Sequence, residues 1–389
     1  MPDINFYFFI RMKKFSALLL LLTLLHTVEC FSQTDNTHFC ESTKFEAADS
    51  NKLYLGIRNI NIFRNNEFFN NIDEGYTTFG SLVNPTLKYY PTSKIKIEAG
   101  INLVSFYGTD KVDIIKPIFR AHLKLNKNFD FIMGSLYGTA NHNFIEPLFR
   151  QEHLMNKNVE SGMQILYNSR FLYSDLYINW EKYIFRTQKS EREVFTVGWS
   201  SEVKALPDDS RLKINFPIQL LVAHIGGQID TLPVPIESIS NFAGGIDIGY
   251  KLDGIIKEVG FKTYFARFKD ISGEKRLKFK KGYAFYPFFY TKTKFLNLYG
   301  GYWNAHDFIA PRGEPIFSSV SYINEEFVFR HRNLMVLKAE LIYPFTKGLT
   351  VGARYESYYN LDEKQNDFSY GAFINFNRDF FLKTIKLFK

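Results

Sequence analysis

The stretch Ala140–Asn158 holds the densest set of reactive side chains: Asn141, His142, Glu146, Arg150, Glu152 and His153. Imidazoles exchange protons near neutral pH, and carboxylates beside a guanidinium set a local field. The spacing of His142, Glu146 and His153 does not form a recognised metal-ligand pattern, so no metal site is expected. The stretch is long enough to fold into a barrel and narrow it, as a constriction loop that selects solutes by charge and size. The alternative reading is a solvated outer loop. His122 and His224 sit on strands, yet no serine stands beside either through an obvious motif, and no Gly-x-Ser-x-Gly elbow occurs. Gly226-Gly227-Gln228-Ile229-Asp230 follows His224 and reads as a loop entry. It lacks the strand–helix setting of a phosphate loop. No catalytic residue and no cofactor is assigned, because nucleotide, haem and iron–sulfur patterns are missing. The expectation is a chain that is not an enzyme.

A second set of charges lies on alternating positions of apolar stretches. Lys96, Glu98, Arg120, His122, Lys124, Asp175, Glu181, Lys213, Asp247, Arg354 and Glu356 share a parity opposite to that of their oily neighbours. Side chains alternate across a strand, so such a stretch has one wet face and one greasy face. These residues are expected to line a pore.

The elements that would position them are strands. In Ile115–Leu125, Ile115, Pro117, Phe119, Ala121, Leu123 and Leu125 oppose Lys116, Ile118, Arg120, His122 and Lys124. Asn126-Lys127-Asn128 turns the chain, and Phe129, Phe131, Met133, Ser135 and Tyr137 are expected on one side of the returning arm. Short connections (near 91–93, 126–128, 168–170, 207–210, 253–254, 292–294 and 346–348) alternate with long polar ones throughout the chain. That wiring belongs to up-and-down outer-membrane barrels, with tight turns at the periplasm and long loops outside. The fold class expected is all-β: an up-and-down antiparallel transmembrane β-barrel of about 16 strands, within 14–18.

Composition agrees. Aromatics reach 17%, with 41 Phe, 24 Tyr and 3 Trp, as girdles at two lipid–water interfaces require. No apolar run after the N-terminus is long enough for a membrane-spanning helix. The net charge of +8 comes from Lys and Arg dispersed through the strands rather than clustered, which argues against nucleic acid. Residues 1–32 read as a signal peptide, with Met12-Lys13-Lys14 before the apolar Ala17–Leu25 and an upstream extension at 1–11. Residues 33–50 read as a flexible leader, 51–381 as the barrel and 382–389 as a short basic tail. Cys40 is left unpaired once Cys30 departs with the signal.

The stretches Asn65–Phe69 with Glu74–Gly80, Asn141–Leu148, Gly226–Asp230 and Asn375–Phe381 resemble an uncharacterised group of porin-like outer-membrane barrel proteins from Bacteroidetes-type bacteria. The resemblance covers most of the mature chain. It implies an outer-membrane location and a porin-like barrel, and brings no established activity. One departure is the tail Leu382–Lys389 after the final aromatic strand. The function expected is a passive channel or solute-uptake pore, with outer-membrane lipid and small solutes as partners. The alternative is a barrel-anchored binding or assembly protein, and after it an outer-membrane hydrolase.

Overall fold

The computed structural model describes residues 36–386 other than 189, 228 and 325. The signal segment and the last three residues of the tail lie outside the described residues. Sixteen strands follow one another: β1 (Lys52–Glu67), β2 (Thr77–Thr92), β3 (Ile95–Phe106), β4 (Ile114–Lys124), β5 (Phe129–Ser135), β6 (Ser161–Asn168), β7 (Leu172–Lys182) and β8 (Val194–Lys204). Then come β9 (Leu212–Ile225), β10 (Glu237–Lys251), β11 (Ile256–Asp270), β12 (Lys281–Thr293), β13 (Leu296–His306), β14 (His331–Thr346), β15 (Leu349–Asn360) and β16 (Gln365–Thr384). Each pairs antiparallel with its sequence neighbours, and β16 closes on β1. Closure leaves no edge with unpaired backbone, the condition for standing in hydrocarbon.

Short turns gather at one end of the barrel and the longer loops at the other, apart from the short β15–β16 connection, so β1 begins and β16 ends at the turn end, the periplasmic side. The strand sheet runs past the expected boundary at 381. Leu53 pairs with Lys383 and Lys52 with Thr384, because β1 begins far enough upstream to carry the last strand into the tail.

The outer face is the greasy one. Ile115, Phe119 and Met133 are each more than half exposed, and Leu176, Phe216, Phe265, Phe285 and Leu337 follow on later strands. Such a wall is stable only against lipid. The chain is therefore an outer-membrane protein. The parity expected for the arm after Asn128 breaks once. Gly134 has φ +96, a backbone conformation that L side chains rarely adopt, and beyond it Ser135 is buried, its hydroxyl oxygen accepting from the Phe119 N–H at 3.1 Å; Tyr137 is buried too, not on the outer face.

The interior is filled. Along β10–β14 it is an apolar core: Tyr264, Tyr286, Phe288 and Trp303 pack against Phe308 and Phe317 of the long β13–β14 loop, with Ile145 and Leu148 from the β5–β6 loop. Each such side chain contributes about 1.5–3 kcal/mol on burial, which explains why β12 is aromatic on both faces. Along β1–β8 and β14–β16 the interior is charged, and there the leader enters. Residues 36–50, expected to be flexible, pack inside the barrel. Phe39 and Phe45 are buried, and Arg58 Nη2 donates to the Phe39 carbonyl at 2.6 Å. Two aromatic anchors in an otherwise polar segment, with a carboxylate between them at Glu41, account for the docking.

Candidate functional site

Every charged residue expected on the inner face points inward, and almost all are paired. Glu98 holds Lys96 at 2.9 Å and Arg120 at 2.6 Å, and Arg120 also reaches Glu41 of the leader at 3.1 Å. His122 Nδ1 lies 3.0 Å from the Tyr137 hydroxyl, and Lys124 donates to the Phe45 carbonyl. Glu181 takes Arg312 at 2.7 Å and Lys157 at 2.9 Å. Lys213 bridges Glu258 at 2.5 Å and Asp247 at 3.4 Å. Arg354 pairs with Glu340, and Glu356 takes Lys338 at 2.8 Å and Arg64 at 3.0 Å. Such pairs offset their own desolvation; they do not leave a wet, open lining.

The Ala140–Asn158 loop folds into this interior. The Asn141 side chain accepts from the Glu41 N–H at 2.9 Å and donates to the Glu41 carbonyl at 2.8 Å, pinning the leader. His142 lies between Asp175 at 2.8 Å and Glu160 at 3.0 Å and stacks on Tyr177 at 3.6 Å. Burial opposes its charge, but the two carboxylates outweigh it and raise its pKa to about 10. Glu146 pairs with Lys338. Arg150 Nε lies 3.3 Å from His153 Nε2, and Glu152 accepts from Asn156. Burial, then the nearby cations Arg150, Lys157 and Arg312, push His153 down to about 3. Neither imidazole is free to exchange a proton near neutral pH. Among the described residues no group of three or more His, Cys, Asp and Glu has the geometry to hold a metal ion.

A different pair stands on the outer wall. Trp180 on β7, Phe195 on β8, His224 on β9 and Ser238 on β10 are register partners in one row. Their sequence neighbours Thr196, Ala223 and Ile239 are buried inside, so the row faces outward at the loop end, the level of an aromatic girdle. Phe195 stacks on Trp180 at 5.2 Å and on His224 at 4.4 Å, which fixes the imidazole plane. His224 Nε2 lies 2.7 Å from the Gly226 carbonyl oxygen, and Nδ1 lies 2.8 Å from Ser238 Oγ. A carbonyl oxygen only accepts, so in the neutral ring Nε2 carries the hydrogen and Nδ1 faces the serine hydroxyl as acceptor. Gly226 adopts φ +109, where L side chains are strained, and a Cβ there would stand 2.7 Å from Arg192 Nη2. The Arg192 guanidinium in turn ties Ile225 O and Pro235 O at 2.9 and 2.8 Å.

Ser238 is also tied to a basic loop. Its N–H donates to Ser272 Oγ at 2.9 Å, Ser272 N–H to Asp270 Oδ1 at 3.0 Å, and Arg276 N–H to Asp270 Oδ2 at 2.9 Å. Lys275, Arg276 and Lys278 then line a cavity of about 540 Å³ at the mouth, with Leu277, Ile309 and Val320 as its apolar part.

A family profile described as lipid A 3'-O-deacylase-type matches residues 45–385. The chain belongs to the lipid A 3'-O-deacylase-type family. No curated protein matches it. Among solved structures it is similar to OmpT, an outer membrane protein of Vibrio cholerae (9% identity, 84% of this chain and 100% of that one, TM-score 0.47). It is likewise similar to OprD from Pseudomonas aeruginosa (10% identity, 88% and 96%, TM-score 0.47) and to OccAB3 from Acinetobacter baumannii (10% identity, 84% and 99%, TM-score 0.49).

Membership of a deacylase-type family overturns the expectation that the chain is not an enzyme. The sequence reading stopped at His224 because its partner is 14 residues away across a loop, in no contiguous motif. The signal that could have found Ser238 is the hairpin register, since the strand after the Gly226-Gly227 loop brings one outward residue opposite His224. Glu237 pairs with Ile225 and Ser238 with His224.

Proposed function

We propose that this porin-like barrel is an outer-membrane hydrolase that cleaves an acyl ester of a phosphorylated lipid in the outer leaflet. The observation that carries the reading is the 2.8 Å approach of Ser238 Oγ to His224 Nδ1 on the lipid-facing wall. Membership of the lipid A 3'-O-deacylase-type family supports the reaction class. A filled lumen favours work at the wall over passage through the middle.

The chemistry follows from the tautomer. His224 Nδ1 takes the hydroxyl proton as Ser238 Oγ attacks the ester carbonyl carbon. Collapse of the tetrahedral adduct breaks the acyl C–O bond, and the departing alkoxide takes the proton from His224. Water, deprotonated by the same nitrogen, then attacks the acyl-Ser238 ester and restores the hydroxyl. Gly226 O occupies the place of a triad carboxylate. It orients the ring and stabilises the imidazolium less than a full charge does, so a modest turnover follows. Arg192 ties the Ile225 and Pro235 carbonyls beside Gly226 and so steadies the loop whose carbonyl orients the ring. Lys275, Arg276 and Lys278 at the mouth meet a phosphorylated headgroup while acyl chains lie along the outer wall.

A fluorophosphonate probe in detergent micelles tests this. The account expects a single adduct on the Ser238 peptide, lost in His224→Gln. Labelling elsewhere, or none with the barrel folded, defeats it.

A further inference from the structure

The turn end of the lumen encloses a cavity of about 210 Å³ between the leader and the walls of β1–β4 and β16. Its charges do not balance. Glu98 serves both Lys96 and Arg120, and Glu41 serves both Arg120 and Arg58 at 3.1 and 3.3 Å. Two carboxylates thus answer three buried cations. Lys88 is matched by Asp379 at 2.8 Å, but Lys44, also on the lining, has no carboxylate partner among the described residues.

Two polar atoms at the same cavity are unanswered. Arg58 Nε and Asn84 Oδ1 are buried without a hydrogen-bond partner among the described residues, each in a residue only 7% exposed. A buried donor or acceptor left unpaired costs about 1–3 kcal/mol, so a site that keeps both invites a ligand that meets both. Arg58 Nε and the cation surplus need oxygen acceptors with negative charge. Asn84 Oδ1 needs a hydroxyl donor.

We infer that this cavity is a binding site for a small oxyanion, carboxylate or phosphate, that also carries a hydroxyl, entering from the periplasmic side. The site is separate from the outer-wall pair and does not rest on the hydrolase reading. The leader forms one of its walls through Glu41 and Lys44, so a bound anion bridges leader and barrel and holds the leader in place.

Calorimetry on the full barrel in neutral detergent at low salt tests this, with citrate, hydrogen phosphate and tricarballylate as probes and glucose as the uncharged control. Citrate and tricarballylate differ by the hydroxyl. The expected result is binding of citrate or hydrogen phosphate, the tighter of the two naming the oxyanion, with tricarballylate about tenfold weaker than citrate. Lys44→Glu, at an exposed position, weakens binding several-fold and flattens its salt dependence. Asn84→Leu removes the preference for citrate over tricarballylate and keeps the barrel folded by circular dichroism. Heats equal to those of glucose, or anion binding indifferent to Lys44→Glu, overturns the inference.

Discussion

Arg312 Nη2 stands 2.7 Å from Glu181 Oε1, although 131 residues separate the two. The pair ties the β13–β14 loop to the inner face of β7, deep in the mouth. Arg312→Ala leaves Glu181 with Lys157 and Thr196 alone and frees the loop. The expected cost is about 2–3 kcal/mol, read as a lower unfolding temperature in detergent. Limited proteolysis of the variant should cut within 307–330, where the parent resists.

The leader is the second closure. Arg58, Arg120 and Lys124 bind Phe39 O, Glu41 and Phe45 O respectively, and the Phe39 ring packs tilted against Phe373 at 4.8 Å. Deleting residues 36–50 should raise single-channel conductance several-fold over a nearly silent parent. The pore so made should favour anions, because the cations that faced Glu41 lose their carboxylate. Equal conductance of the two forms would mean that the leader closes nothing.

Much of the fold was legible because the membrane leaves few options. The alternation of Phe119 with Arg120 and the alternation of turn with loop each specify a closed antiparallel sheet. The interior was harder to read. Nothing in the polar segment 36–50 announces that Phe39 and Phe45 are anchors, since their partners at Arg58 and Lys124 are contacts of the folded barrel. The backbone at Gly134 was hidden for a similar reason: a lone glycine in a strand pattern does not announce its positive φ. His224 was visible as a strand-borne imidazole, but Ser238 became its partner only through the β9–β10 register.

His142 makes stability depend on alkaline pH. Its pKa in the folded protein, about 10, lies above the 6.5 of the free side chain. A raised pKa gives stability that is complete below 6.5 and is lost as pH rises through about 10. The unfolding temperature should therefore fall steadily between pH 7 and pH 10, by the equivalent of a few kcal/mol in all. His142→Gln should be less stable at neutral pH and lose most of that slope.

Gly134 is the last residue of β5 paired with β4. A Cβ there would stand 2.2 Å from the Phe119 carbonyl oxygen, and φ +96 adds strain. Gly134→Ala should destabilise the barrel by about 2 kcal/mol or more and lower the folded yield on refolding, measured by urea titration. A variant as stable as the parent would show that the β4–β5 ladder relaxes freely.

The central claim is that Ser238 and His224 act together on an ester at the outer wall. The most direct measurement is fatty-acid release from a phosphorylated acyl-ester lipid in mixed micelles, by the parent, Ser238→Ala and His224→Gln, each with circular dichroism matching the parent. The account predicts losses of about a thousandfold or more in either variant, and little further loss in the double variant, since the pair works as a unit. Undiminished release by folded Ser238→Ala would contradict it.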